Sequence, residues 1–311
     1  MATTSPTIDL SGNPNRRRRE RFFKNLFFAA GFLSIVISIA IIFSLAEEAW
    51  SFIKGLIDEG ELSSLWNVGW FPRRGLYDIR TIVVGTLIIA FIGILVALPL
   101  GLGAAIYLAE YANPRARRML KPIIEILAGI PSVVLGFWAL TFISPEIVQR
   151  IWESAGVFSM MAAGIGVGVL IVPLVASVSE DAMRAVPLSL RQASYGLGAN
   201  RATTTLRVVL PASISGIMAS IILAFSRGIG ETMIVFMAAG AVGGSLFTVN
   251  PLDPGQTMTA AIASLAIGTD QVAGEGLAFQ SLFFVGLLLF FLTLFLNWAS
   301  SRVVRRFRET Y

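Results

Sequence analysis

Apolar residues in this chain run in long blocks rather than in short alternations. Six blocks are long enough for a bilayer core, which a helix crosses in about 20 apolar residues. They lie at roughly 22–46, 80–110, 119–143, 157–179, 209–243 and 278–300. Lipid cannot satisfy an open backbone, so each is expected to be a helix. The second and fifth are longer than a bilayer needs and are expected to tilt, break or run past it. Two polar stretches separate them on one side. One is 47–79, with Trp50, Trp66, Trp70 and Phe71 suited to a membrane interface; the other is 244–277, rich in Gly, Pro and Thr. The first 15 residues are Ser, Thr, Pro, Asn and Gly-rich, too polar to build a core, and are expected to be disordered. The block after the N-terminal arginines exceeds the 7–15 apolar residues, roughly, of a cleaved leader and reads as a retained anchor.

Charge gives the blocks a direction. Basic residues gather in every second segment: Arg16, Arg17, Arg18, Arg19, Arg21 and Lys24; Arg115, Arg117, Arg118 and Lys121; Arg184, Arg191, Arg201 and Arg207; Arg302, Arg305, Arg306 and Arg308. The segments between hold most of the acids, among them Glu47, Glu48, Asp58, Glu59 and Glu61. Cytoplasmic loops carry the Lys and Arg excess. An even number of spans then places both termini in the cytoplasm and the 47–79 and 244–277 segments outside. The expected organisation is a basic disordered arm over 1–21, a first helix over 22–46, an external segment over 47–79, a transmembrane domain over 80–303 and a basic tail over 304–311.

Composition agrees and narrows the chemistry. Of 311 residues, 55% are hydrophobic and 14% charged, with a mean hydropathy of +0.76; soluble domains carry about 25% charged residues. The net charge of +5 is explained by orientation and anionic headgroups, not by nucleic acid. There is no Cys and no His, which removes disulfides, thiolate metal sites and the commonest general base. Gly101-Leu102-Gly103, the glycines of 164–168 and Gly228-Ile229-Gly230 read as close helix approach, since no strand precedes them as a dinucleotide fold requires.

The basic segment over 180–211 is the most specific. Leu188, Leu190, Ala193, Leu197, Leu206 and Val209 alternate with polar residues as a short amphipathic helix, a glycine break at Gly196 or Gly198, and a second helix. Pro187 and Pro211 bracket it. Within it stand Gln192-Ala193-Ser194, three residues, Gly198, nine residues, then Val208-Val209-Leu210-Pro211. This resembles the coupling loop of ABC importer permeases: Glu-Ala-Ala, three residues, Gly, nine residues, Ile, any residue, Leu-Pro. The departures are Gln for Glu, Ser for Ala and Val for Ile.

Two further stretches resemble phosphate importer permeases of PstC type. They are Ser226-Arg227-Gly228-Ile229-Gly230-Glu231-Thr232-Met233 and Ile124 to Val134, with Gly85-Thr86-Leu87 beside them. PstA-type permeases share the Arg and Gly-Glu-Thr elements but usually continue with Ala-Pro. The resemblance implies an all-helical permease of the type I, MetI-like fold, with its coupling loop at 180–211. It implies a path shared with a PstA-type permease, a homodimeric PstB-type ATPase docked at Gln192, Ala193, Ser194, Gly198, Leu210 and Pro211, and a periplasmic PstS-type binding protein. The compartment implied is the bacterial inner membrane. No Gly-x-x-x-x-Gly-Lys-Ser/Thr stretch is present, so ATP and Mg are expected on the partner, with no cofactor or metal here and no enzyme activity.

Arg227 and Glu231 are four apart and share a helix face. Charge at mid-membrane costs about 2.5–3.5 kcal/mol per Arg on insertion scales, so it faces the bundle interior or water. The pair either neutralises itself and locks helices, or offers the Arg227 fork to a phosphate oxygen while Glu231 holds Arg227 or accepts a hydrogen bond from the protonated oxygen of hydrogen phosphate. Glu110 and Glu125 are expected to pair with Arg117, Arg118 and Lys121. Thr86 and Ser132 are further pathway candidates. The rivals are the same architecture with another oxyanion or nutrient, an ion-driven secondary transporter, which should show repeated halves that this sequence lacks, and a membrane scaffold.

Overall fold

The computed structural model describes residues 14–240, 243–267 and 276–306. Helix α1 spans Pro14–Asp58. Strands β1 (Gly69–Phe71) and β2 (Leu76–Tyr77) follow. Helix α2 covers Ile79–Tyr111, its last turn wound wider than an α-helix. Then come α3 (Pro114–Ala128), α4 (Ser132–Ile151), α5 (Met160–Arg184) and α6 (Leu188–Gly196). Helix α7 is Arg201–Ile229 and α8 is Met233–Ala238. Strand β3 (Ser245–Leu246), α9 (Met258–Ala266) and α10 (Leu277–Arg306) complete the described chain. Among these, α1, α2, α4, α5, α7 and α10 are the six helices long and apolar enough to cross a membrane.

The core is the α2–α5 seam, and small residues make it. A Cβ on Gly164 would stand 2.6 Å from Ile92, one on Gly168 2.7 Å from Val96, and one on Gly101 2.7 Å from Val175. Glycine lets the backbones close to a distance no side chain permits. Gly103 and Gly230 show no such neighbour, so the close-approach reading holds at 101 and 164–168 and fails at those two.

At one end of the bundle, the two segments expected on the same side meet. Strand β1 pairs antiparallel with β2 and with β3 (order β2-β1-β3), joining 69–77 to 245–246. At the other end, α6 and the start of α7 form the loop expected at 180–211. These are the sheet end and the loop end of the bundle.

Three span assignments need correction. The third span is not 119–143. Gly129-Ile130-Pro131 breaks it, leaving α3, an amphipathic helix with no buried residue, and the true span α4. Five charges in α3 (Arg115, Arg117, Arg118, Lys121, Glu125) keep it out of lipid. The fifth span begins at Arg201 rather than 209 and stops at Ile229 rather than 243. Pro211 therefore does not bracket the loop. It lies inside α7, just after a widened turn over Thr205–Val209 that releases the carbonyl its missing N–H cannot serve. Helix α1 also overruns both assigned ends. It starts at Pro14, so 14–21 is helix and not a disordered arm, and it continues to Asp58 because Phe52 and Leu56 are fully buried against Tyr77, Phe284 and neighbours. Residues 1–13 and 307–311 lie outside the described part.

Candidate functional site

Helix α7 ends at Ile229. Gly230 closes the last turn, and Thr232 leads into α8. At this break Glu231 is buried, its side chain 3% exposed. One carboxylate oxygen, Oε2, accepts from Arg227 Nη1 at 2.9 Å. The other accepts the backbone N–H groups of Met233 and Ile234 at 3.2 and 3.4 Å, capping α8. Thr259 on α9 donates to the Glu231 carbonyl at 2.8 Å. Each oxygen of Glu231 thus already accepts from a donor of this chain.

Arg227 differs. Its side chain remains 49% exposed and lines a cleft of about 340 Å³ with Glu125, Leu170, Pro173, Leu174 and Ser177. Gly228 packs against Val167 and Ile171, which places this turn level with the middle of α5. A cation at mid-span is thus oriented by a buried carboxylate and keeps donors free. Chemically that is a point of attachment for an oxyanion. Just toward the loop end, buried Ser179 and Ser220 join α5 to α7 at 2.8 Å.

The loop is clamped to the bundle rather than hanging from it. Arg191 on α6 donates to Glu110 at 2.9 Å, to the Met183 carbonyl at 2.8 Å and to the Val186 carbonyl at 2.5 Å. Arg201, at the start of α7, sits 5.5 Å from the ring of Tyr111. Both cations grip the widened last turn of α2. Gly198 turns the chain between α6 and α7 with φ +83°, a conformation glycine adopts without penalty, and Asn200 caps α7 by accepting from Thr203 N–H at 2.8 Å. Leu188, Leu197 and Leu206 stand 70%, 90% and 63% exposed around this turn.

The six residues matched to the coupling pattern do not form one surface. Gln192 and Ala193 are exposed on α6. Ser194 turns inward to Thr204, with Oγ to Oγ1 at 2.9 Å. Gly198 is in the turn. Leu210 packs on the core at the loop end, and Pro211 follows it within α7. The acid pairings also differ from expectation. Glu110 pairs with Arg191, while Arg117 and Lys121 both hold Glu180, at 2.6 and 3.0 Å. Glu125 makes neither bond. Burial alone would lower the Lys121 pKa, but hydrogen bonds to Glu180 and Asp181 outweigh it and the net direction is upward.

Glu180 is wholly buried and was missed by sequence reasoning. The available signal was its spacing from Ala176 and Met183, one turn before and after on the buried face of α5. Thr86 is structural: its hydroxyl donates to the Ile82 carbonyl and accepts Met258 N–H, docking α9 on α2. Ser132 starts α4, partly buried.

Residues 97–309 match the family described as binding-protein-dependent transport system inner membrane component. The chain belongs to this family. As a binding-protein-dependent ABC importer permease it is a multi-pass membrane protein with the MetI-type fold. The chain is 33% identical over 298 residues to the probable ABC transporter permease YqgH of Bacillus subtilis, covering 94% of each. It is 32% identical over 259 residues to the phosphate transport system permease PstC 1 of Mycobacterium tuberculosis, covering 77% of this chain and 75% of that one. Among solved structures, inward-facing conformations of the MetNI methionine ABC transporter superpose with a TM-score of 0.54 at 20% identity, covering 72% of this chain and 92% of the other. That likeness shows the permease fold and no more.

Proposed function

We propose that this permease serves an ATP-driven importer of inorganic phosphate and occupies the PstC-type position. The observation that carries the reading is Arg227: an arginine at mid-span, oriented by a buried carboxylate, half-exposed to a cleft. A guanidinium fork matches two phosphate oxygens at once. Names of relatives such as the M. tuberculosis PstC 1 support the same substrate class. In this reading both termini lie in the cytoplasm of a bacterium, the membrane is the inner one, and the sheet end faces a PstS-type binding protein. A PstA-type permease completes the path. PstB-type ATPases, which bind ATP and Mg, dock on the loop around Gln192, Ala193 and Gly198, and their closure rotates the two permeases as rigid bodies. Leu210 and Pro211 act by setting the start of the membrane-embedded part of α7.

Glu231, buried and with each oxygen already bonded within the chain, is a positioning residue in this scheme. It aims Arg227 and caps α8 rather than meeting the substrate. The test is radiolabelled phosphate uptake by the reconstituted complex, with sulfate and arsenate as competitors. Arg227→Gln is expected to abolish uptake while assembly persists, and Glu231→Gln, which keeps the cap and loses the charge, to lower it by at least about tenfold, or 1.4 kcal/mol. Normal phosphate uptake in both variants, or uptake of a different solute alone, overturns the proposal.

A further inference from the structure

A second cationic cleft lies at the loop end, about 660 Å³ in volume, between α3 and the ends of α2 and α5. Arg117, Arg118, Lys121 and Arg184 line it, with Glu125 as its one acid. The cations are not equivalent. Arg117 and Lys121 spend their charge on Glu180 and Asp181. Among the described residues Arg118 and Arg184 make no hydrogen bond or ion pair. Two exposed guanidinium groups without partners among those residues therefore line a concave site beside a single opposing carboxylate.

We propose that this cleft is an anion site for a phosphoryl group, held by Arg118 and Arg184. The cleft falls in the usual range for small-ligand pockets, about 300–1,000 Å³. Arginine is the side chain whose planar fork pairs with two phosphoryl oxygens, and both free cations here are arginine. Two sources share this chemistry. One is inorganic phosphate leaving the path, because Glu125 lines both this cleft and the one below Arg227, so the two adjoin. The other is an anionic lipid headgroup, because α3 carries Met119, Ile123 and Ile126 exposed at 69%, 46% and 69% on its apolar side, as an interfacial helix does. The site stands on its own residues and does not require phosphate to be the transported solute.

The test uses the full-length chain in its purified complex, stripped of lipid, with Arg227→Gln as background to silence the mid-span site. Arg118→Gln/Arg184→Gln is compared with Arg115→Gln/Arg207→Gln, which removes equal charge outside the cleft. Neither pair touches the Glu180 bonds, and unchanged melting temperatures verify the fold. Binding of labelled inorganic phosphate is one arm. Retention of phosphatidylglycerol against phosphatidylcholine from mixed nanodiscs is the other. A loss of at least about tenfold, or 1.4 kcal/mol, in one arm for the cleft pair only supports the site and names its source. No loss in either arm, or equal loss for the control pair, overturns it. An importer that carries no phosphate would refute the proposed function and leave the lipid arm standing.

Discussion

Arg227 and Glu231 form one ion pair with two unequal members. Glu231 is sealed into the fold by Arg227 and two backbone N–H groups. Arg227 is the member left open, and this asymmetry separates a group that orients from one that binds. Tyr77 shows burial acting on a single group outside the spans. The residue is 3% exposed, and burial first, then Glu59 and Glu61, push its phenol pKa from 10.0 up to about 12. The unfolded chain loses this proton near pH 10 and the folded chain near 12. The neutral phenol thus stabilises the fold fully below pH 10, and that contribution drains away between about 10 and 12. A phenolate component that rises only near pH 12 and vanishes in Tyr77→Phe is expected from absorbance titration; a Tyr77 component half-ionised near pH 10 would refute it.

At the scale of elements, the loop reaches the bundle through α2. Arg191 makes three hydrogen bonds from one guanidinium that is 12% exposed, and its partner Glu110 is 4% exposed. Breaking one side of such a buried pair costs about 3–5 kcal/mol. Arg191→Gln is expected to speed hydrogen exchange over 188–196 and to raise the ATP hydrolysed per solute moved. Adding Glu110→Gln should cost less than the sum of the two single changes, because the stranded carboxylate is gone. Additive effects, or unaltered exchange in α6, would show that Arg191 is no strut. Legibility at this scale was partial. The first loop helix and a glycine break at 196 or 198 followed from amphipathicity, and the turn falls at Gly198, but the expected second short helix is the first turns of α7. Arg191 read only as one polar residue among several, since its partner lies 81 positions away. The third span was misplaced because Gly129-Ile130-Pro131 interrupts an apolar run whose total length still suited a membrane.

Across the whole molecule, stability rests on how closely α2 and α5 approach. Gly164→Ala would press a methyl against Ile92 and force the helices apart, and overpacking of this kind costs about 1–3 kcal/mol. Gly103 is helical with open space around its Cα, so Gly103→Ala should gain up to about 1 kcal/mol of helix propensity. Thermal melts in detergent are expected to move in opposite directions for the two. A shift of the same sign at both positions would contradict the seam.

Local rules were enough for a large part of this protein. Run length fixed the number of crossings, since a bilayer sets a minimum for each, and the spacing of a few loop residues pointed to an importer permease. The Arg227–Glu231 pair could be read from its spacing of four, but the distant partners of the other buried acids were decided only in three dimensions. Glu180 and Glu110 look alike along the chain, and their partners are supplied by helices that packing brings together. The same holds for Arg227: its exposure depends on α3 and α5 leaving a gap beside it, and no periodicity in the sequence records a gap.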